Sequence, residues 1–113
     1  MSADMSGTWI PTSQQMGRTV FPPSVFENET LVLQDSTYVL TAESVDKGVV
    51  KCYGDKMDIY GKDGVNAGKH FTAIWKLENG NLTICYDLSG NKYPTTFETK
   101  SDTMFFMSVF KKK

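Results

Sequence analysis

The chain is poor in the residues that favour helices: only ten of its 113 residues are Ala or Leu. Thr, Val, Ile, Tyr, Phe and Trp number 39, and these β-branched and aromatic side chains favour strands. The ratio argues against a helix bundle or a coiled coil. An apolar content of 40% with 22% charged residues also argues against disorder. The length suits a single domain over 1–113, with flexible ends at 1–6 and 111–113.

Arginine is scarce as well. The chain has one arginine, Arg18, and a net charge of −1 that already includes the lysine tail at 111–113. Nucleic-acid binding needs clustered Lys and Arg, so no nucleic-acid partner is expected. No apolar run approaches the ~20 residues of a transmembrane helix, and residues 1–5 lack the apolar region of a secretory signal. The chain as it stands is expected in the cytoplasm, whereas a trimmed natural start would fit export or a lipid anchor.

Patterns that bind metals are missing too. Cys52 and Cys85 show no CxxC spacing, and His70 is the only histidine. We therefore expect no metal and no cofactor. In an exported protein the two cysteines could form one disulfide, and otherwise they are expected to be buried thiols.

The sequence instead shows strand signals at short, regular intervals. Consecutive hairpins favour an up-and-down barrel, because closure removes the unpaired edges of a long meander. We predict an all-β domain, an antiparallel barrel of eight or nine strands. The first strand is expected to stop at Pro11, and a break is expected at 46–48. Residues 12–28 should form a long connection that partly covers the barrel mouth, with one short helical turn near 23–28. The predicted strands are Thr8–Ile10, Thr30–Leu33, Thr37–Thr41, Val49–Tyr53, Met57–Tyr60, His70–Leu77, Leu82–Asp87, Tyr93–Thr99 and Thr103–Phe110.

The most specific local signal is Asn79-Gly80, which suits a two-residue type I′ turn. The turn sets a register, and side chains that alternate along each strand then share one of two faces. One face is apolar, and the other is mixed and predicted to meet solvent. Cys85 lies on the mixed face, whereas Cys52 shares a face with Val50, so a disulfide between the two cysteines is excluded by geometry. The predicted pairs are Leu77–Leu82, Trp75–Ile84 and Ala73–Tyr86, and the predicted solvent face consists of Thr72, Ile74, Lys76, Thr83, Cys85 and Asp87.

The start of the first strand, Gly7-Thr8-Trp9, resembles the G-x-W signature of the lipocalins and their calycin relatives. In that family the Trp plugs the closed end of the barrel, and a cationic side chain from the last strand packs on it. The resemblance implies that Trp9 closes the barrel, with Lys111 as its partner in a cation–π contact.

Five further segments follow one another in the order Met57–Tyr60, Gly64–Lys69, Ala73–Leu77, Leu82–Asp87 and Pro94–Phe97. This series is similar to an uncharacterised bacterial domain family that is abundant in planctomycetes. The family is regarded as lipocalin-like and often occurs in exported or lipid-anchored proteins, and its biochemical activity is not established. The resemblance implies a lipocalin-like barrel over nearly the whole chain.

Two features bear on chemistry. The loop Gly61–Lys69 lacks the spacing of a phosphate loop, so we interpret it as a loop that needs positive φ at its glycines. The alternative is a loop at the barrel mouth that touches a ligand. No nucleophile stands near His70 in the sequence, and it is interpreted as a surface or rim residue. A hydrolase or isomerase would need His70 with Asp58 or Asp63 inside a pocket.

The positions of the aromatic side chains distinguish a ligand-binding barrel from a filled one. Trp9, Tyr38, Trp75, Tyr86 and Phe97 are predicted to point into the barrel, where they either fill it or line a pocket. A chain this short is expected to leave little room inside. The favoured hypothesis is a noncatalytic binder of a small apolar or amphipathic ligand, in which Trp75, Tyr86, Tyr38 and Phe97 contact the ligand. The alternatives are a structural or protein-interaction module with a filled barrel and, more remotely, the enzyme described above.

Overall fold

The computed structural model describes residues 3–100 and 102–113, and within them it has nine strands and two 3-10 turns, Ala3–Met5 and Pro23–Val25. The all-β class and the short helical turn near 23–28 are confirmed. The strands are β1 (Gly7–Met16), β2 (Thr19–Val20), β3 (Thr30–Gln34), β4 (Thr37–Thr41), β5 (Val45–Tyr53), β6 (Lys56–Asp63), β7 (His70–Glu78), β8 (Asn81–Asp87) and β9 (Phe105–Lys112).

Eight of these strands form a closed antiparallel barrel. β1 and β3 to β9 pair in chain order, and β9 returns to pair with β1. The two-residue β2 extends the sheet by pairing with the end of β1. Because the last strand pairs with the first, the barrel wall has no long free edge. The predicted up-and-down barrel is confirmed.

The hairpin between β7 and β8 has the predicted turn and register. Asn79 and Gly80 have φ values of 53° and 79°, the left-handed conformation that a type I′ turn requires at both positions. The local chemistry of two residues is therefore enough to set this register. The pairs are Leu77–Leu82, Trp75–Ile84 and Ala73–Tyr86, as predicted.

The first strand does not stop at Pro11 but continues to Met16. β1 pairs with β3 only through Gly7–Trp9, so Pro11 has no partner in β3. Proline lacks a backbone N–H, but no hydrogen bond between β1 and β3 is lost at this position. A bulge between Pro11 and Ser13 then shifts the register against β9. The proline bends the strand without ending it.

The break expected at 46–48 is not a break either. β5 runs from Val45 to Tyr53, and the irregularity is a shift in its pairing with β6 between Lys47 and Gly48. Side chains along β5 therefore keep their alternation. The alternation places Asp46 on the inner wall of the barrel.

Residues 88–104, here called the outer loop, do not contain the strand predicted at Tyr93–Thr99. Its end residues Leu88 and Met104 line the barrel interior, and the irregular segment between them packs on the outside of the barrel. Thr72 Oγ1 donates a hydrogen bond to the Lys92 carbonyl, and Thr99 Oγ1 donates one to the Gly17 carbonyl at 2.7 Å. The prediction that the second face of the β7–β8 hairpin meets solvent is wrong, because alternation says which side chains share a face and not what covers them. The buried members of that face are Thr72, Ile74, Thr83, Cys85 and Asp87.

The two cysteines lie on opposite faces of the wall, as predicted. Cys52 packs against the core inside the barrel, and Cys85 is fully buried on the outer face. Both are free thiols. Burial raises the pKa of Cys85 to about 11, so this thiol is protonated at neutral pH and unreactive.

Trp9 closes one end of the barrel. Its side chain is buried, and its Nε1 donates a hydrogen bond to the Met5 carbonyl at 2.8 Å. The cation above the ring is Lys112, whose Nζ lies 5.1 Å from the ring centroid. The expected partner, Lys111, is wrong because Lys112 is the residue that pairs with Trp9 between β1 and β9, and paired side chains share a face. Two residues of the ends predicted to be flexible are thus in contact with Trp9: Met5, in the turn before β1, is fully buried, and Lys112 is the last residue of β9. Residues 1 and 2 lie outside the described residues.

Candidate ligand-binding site

The barrel encloses a cavity of about 590 Å³ that opens at the end opposite Trp9. All eight barrel strands contribute to its walls. The expectation of little room inside is wrong, because the number of strands sets the width of a barrel and this chain places most of its residues in strands. The apolar lining is Met16, Leu31, Leu33, Leu40, Val50, Met57, Ile59, Phe71, Ile84, Leu88, Met104, Phe106 and Phe110.

Gly48 shapes one wall of this cavity. It pairs with Tyr38 between β4 and β5, and a Cβ atom at this position would lie 2.6 Å from Cε1 of the Tyr38 ring. A contact that short does not occur between carbon atoms. The glycine therefore allows the Tyr38 ring to lie against the wall.

Asp46 is the first of two acidic side chains in the cavity. It is 5% exposed, and its two carboxylate oxygens each accept one hydrogen bond from a neutral group. Tyr38 Oη donates to Oδ1 at 3.1 Å, and Asn66 Nδ2 donates to Oδ2 at 2.7 Å. Burial and the neighbouring negative charge of Asp46 both raise the pKa of Tyr38, so the phenol stays protonated and keeps donating.

Glu29 is the second acidic side chain. Its Oε2 accepts a hydrogen bond from Gln14 Nε2 at 2.8 Å, and the same amide lies 3.4 Å from Ser108 Oγ. Burial raises the pKa of Glu29, and the hydrogen bond from Gln14 offsets part of that rise. The glutamate and Ser108 both line the cavity.

Tyr86 brings a hydroxyl group into the same space. Its ring stacks on Phe106 with centroids 5.8 Å apart. Burial raises the pKa of Tyr86, and the negative charges of Glu29 and Asp46 raise it further. Among residues 3–100 and 102–113 the Tyr86 hydroxyl has no hydrogen-bond partner, so it is available to a bound molecule.

The cavity mouth is formed by chain segments from several directions. Asn66 and Lys69, from the glycine-containing loop, line it, so the loop lies where the alternative of a ligand-contacting mouth loop requires. Gly64 and Gly68 have positive φ, as that loop was expected to require. From the stretch 12–28, Met16 lines the cavity.

Phe21, in the same stretch, packs on Phe106 with centroids 6.3 Å apart. Phe106 itself lines the cavity. The long connection predicted over 12–28 is wrong in its first half, because residues 12–16 continue β1 and Thr19–Val20 forms β2. The contact of Phe21 places the start of the remaining connection beside the cavity lining, where we expected a partial cover.

The four predicted ligand residues fall into two groups. Tyr38 and Tyr86 line the cavity. Trp75 points inward but packs near the closed end, where its Nε1 donates a hydrogen bond to the Gly54 carbonyl at 3.1 Å. Phe97 lies on the outer loop, with Lys76 Nζ 4.6 Å from its ring centroid. Phe97 was placed inside by the alternation of a strand that does not form.

The polar side chains of the cavity were missed by the sequence reasoning. Asp46 could have been found, because alternation extended backwards from Val50 through Gly48 places it on the inner face. Gln14 and Ser108 are inward residues of β1 and β9 that become recognisable when the two strands are paired. No local pattern points to Glu29, which precedes β3.

His70 and Asp58, two residues named for the enzyme alternative, lie next to each other on the outside of the barrel. His70 Nε2 lies 2.7 Å from Asp58 Oδ1, and Tyr93 Oη donates to Asp58 Oδ2 at 2.8 Å. The imidazole stacks on Tyr60 with centroids 4.6 Å apart. The hydrogen bond to Asp58 raises the pKa of Tyr93 to about 12. The pair does not line the barrel cavity, and Asp63 is not part of it.

Neither a membrane-spanning helix nor a cluster of metal-binding side chains occurs among the described residues. No helix in 3–100 and 102–113 has both the length and the apolar character needed to cross a membrane. In the same part of the chain, no group of three or more His, Cys, Asp or Glu side chains is placed to hold a metal ion.

The chain matches no family model, no curated protein and no solved structure. Its likeness to the lipocalins and to the planctomycete family therefore stays a prediction.

Proposed function

We propose that this protein is a noncatalytic binder of a small apolar or amphipathic ligand, which occupies the barrel cavity. The observation that carries the proposal is the cavity itself, about 590 Å³ in volume, open at one end and lined mainly by apolar side chains. Small-molecule sites generally have this size and composition, with a few polar groups that orient the ligand.

The position of Trp9 supports a likeness to the lipocalins. A buried Trp on the first strand closes one end, and a lysine from the last strand lies over its ring. The support concerns a barrel with one closed and one open end, which is the form that a ligand carrier needs.

The alternatives have less support. An interaction module with a filled barrel requires the aromatic side chains to occupy the interior, and the cavity leaves that interior open. A hydrolase or isomerase based on His70 would need its substrate on the outer wall, away from the cavity. The geometry therefore favours ligand binding.

The test compares two neighbouring valines on opposite faces of β5. Val50 lines the cavity, whereas Val49 lies on the outer face. We expect Val50→Phe to weaken the binding of decanol by about tenfold, because the larger ring occupies ligand space. Val49→Phe should leave the affinity unchanged. Titration calorimetry gives the affinities, and circular dichroism checks that both variants are folded.

The proposal fails if wild-type protein does not bind decanol or any other apolar probe of that length. It also fails if Val49→Phe and Val50→Phe weaken binding equally, because the ligand would then sit outside the cavity.

A further inference from the structure

The cavity that is proposed to bind a ligand carries negative charge without a matching positive charge. Two acidic side chains, Glu29 and Asp46, line it. Their hydrogen-bond partners are all neutral: Gln14 for Glu29, and Tyr38 with Asn66 for Asp46. Within residues 3–100 and 102–113, neither acid forms an ion pair. The one cation among the lining residues is Lys69, which is exposed at the mouth.

The two carboxylates also have acceptor capacity left. A carboxylate oxygen offers two lone pairs, and each oxygen of Asp46 accepts one hydrogen bond. Glu29 Oε2 accepts one from Gln14, while no partner of Glu29 Oε1 lies in the described part of the chain. A donor on a bound molecule can therefore be received without displacing any protein hydrogen bond.

The acids share the cavity with a hydroxyl group that is free to bind. Glu29, Asp46 and Tyr86 all line the same cavity, and the Tyr86 hydroxyl has no hydrogen-bond partner among the described residues. Most of the remaining lining is apolar.

The two carboxylates in the cavity should favour some ligand head groups over others. A carboxylate head group would stand beside two like charges in a partly dehydrated space, which is unfavourable. A plain hydrocarbon would bury the acids without compensation. A protonated amine would supply the missing positive charge and several donors, and hydrogen bonds between charged groups are stronger than neutral ones.

We propose that the ligand of this cavity is a lipophilic amine, with its ammonium group facing Glu29 and Asp46 and its apolar chain against the barrel wall. This inference rests on the proposed function, that the cavity binds a small amphipathic molecule. It adds the chemical class of the head group.

The experiment compares three probes of one chain length: decylamine, decanol and decanoic acid. Titration calorimetry at neutral pH and low salt should show decylamine binding about tenfold more tightly than decanol, with decanoic acid the weakest. Glu29→Gln should weaken decylamine binding and leave decanol binding unchanged. Glu27→Gln is the matched control, because Glu27 is exposed and lies outside the cavity lining. Asp46→Asn is the second variant and should act in the same direction.

The outcomes separate this inference from the proposed function. If decanol binds and decanoic acid binds as well as decylamine, the inference is overturned and ligand binding stands. If the amine preference persists in both Glu29→Gln and Asp46→Asn, the inference is also overturned. If none of the three probes binds, the proposed function fails and the inference fails with it. Circular dichroism of each variant excludes loss of fold as the cause.

Discussion

The two ends of the barrel are built from the same alternating strands, but their interiors differ. At the closed end, Trp9, Met5 and Leu82 are all within 1% of complete burial. At the open end the inward positions include two acids, two tyrosines and a glycine around a cavity.

This difference separates stability from binding. Apolar side chains such as Met5, Trp9 and Leu82 are packed on all sides, so each contributes its full share of the free energy of burial. Side chains at the open end already border empty space, so each contributes less to packing. The open end can therefore carry polar groups and a ligand, because the closed end holds the strands together.

The largest expected effect is the loss of Trp9. Trp9→Ala should lower the free energy of unfolding by about 3–5 kcal/mol, because it removes a buried ring and its hydrogen bond to Met5. Trp75→Ala should cost about 1–2 kcal/mol, because Trp75 is only partly buried. Urea unfolding followed by circular dichroism gives both values.

Ligand binding should be insensitive to Trp75→Ala, because Trp75 does not line the cavity. Equal losses of stability for the two tryptophans would contradict the special role of Trp9 in closing the barrel.

Two leucines, one at each end of the barrel, allow the closed and open ends to be compared with the same substitution. Leu82 is fully buried at the closed end, whereas Leu40 is half-buried and lines the cavity. Leu82→Ala should lower the free energy of unfolding by about 3 kcal/mol, since it creates a new cavity in packed surroundings. Leu40→Ala should cost about 1 kcal/mol, because it enlarges a space that exists already. The same urea measurement decides, and a larger cost for Leu40→Ala would show that the open end is as well packed as the closed end.

The smallest expected effect is on how the free energy of unfolding changes with pH. An acid inside the cavity, Glu29, and an acid on the outer face, Asp87, should change it in opposite directions. The pKa of Glu29, in the cavity, is raised above its ordinary value of 4.5. Its contribution to stability is therefore complete below pH 4.5 and is lost as the pH rises through the folded value. Glu29→Gln should remove this loss and stabilise the protein at neutral pH by less than about 1 kcal/mol.

Asp87, on the outer face, gives the opposite sign. Burial alone would raise its pKa, but hydrogen bonds from Ser89 and the Lys92 N–H, with the charge of Lys92, lower it below 3.8. Its contribution is present above pH 3.8 and is lost as the pH falls through the folded value. Asp87→Asn should therefore reduce the acid sensitivity of unfolding. Thermal unfolding of both variants across this pH range checks the signs, and parallel slopes in the two variants would contradict them.

Much of the fold could be predicted because its causes are local. The composition favours strands, and Asn79-Gly80 sets the β7–β8 register because both residues adopt positive φ readily. The same alternation placed Tyr38 and Tyr86 inside the barrel and the two cysteines on opposite faces. These properties depend on neighbours in sequence or on one short turn.

The failed predictions share a different cause. Alternation over Tyr93–Thr99 predicts an inward Phe97, but this stretch forms no strand. Nothing local in the sequence shows that the outer loop covers the outer face of the hairpin. The contact of Lys112, and not Lys111, with Trp9 depends on the bulge after Pro11 and on the pairing of β9 with β1. Each of these involves residues far apart in the chain.

Strand content, the alternation of side chains along a strand and the register of the β7–β8 hairpin follow from the order of residues alone. The cavity inside the barrel, and the presence of both Glu29 and Asp46 in its lining, follow only from how the strands assemble. The physical reason is that alternation is a property of one strand, whereas an enclosed volume and the charge inside it exist only when β9 has closed against β1.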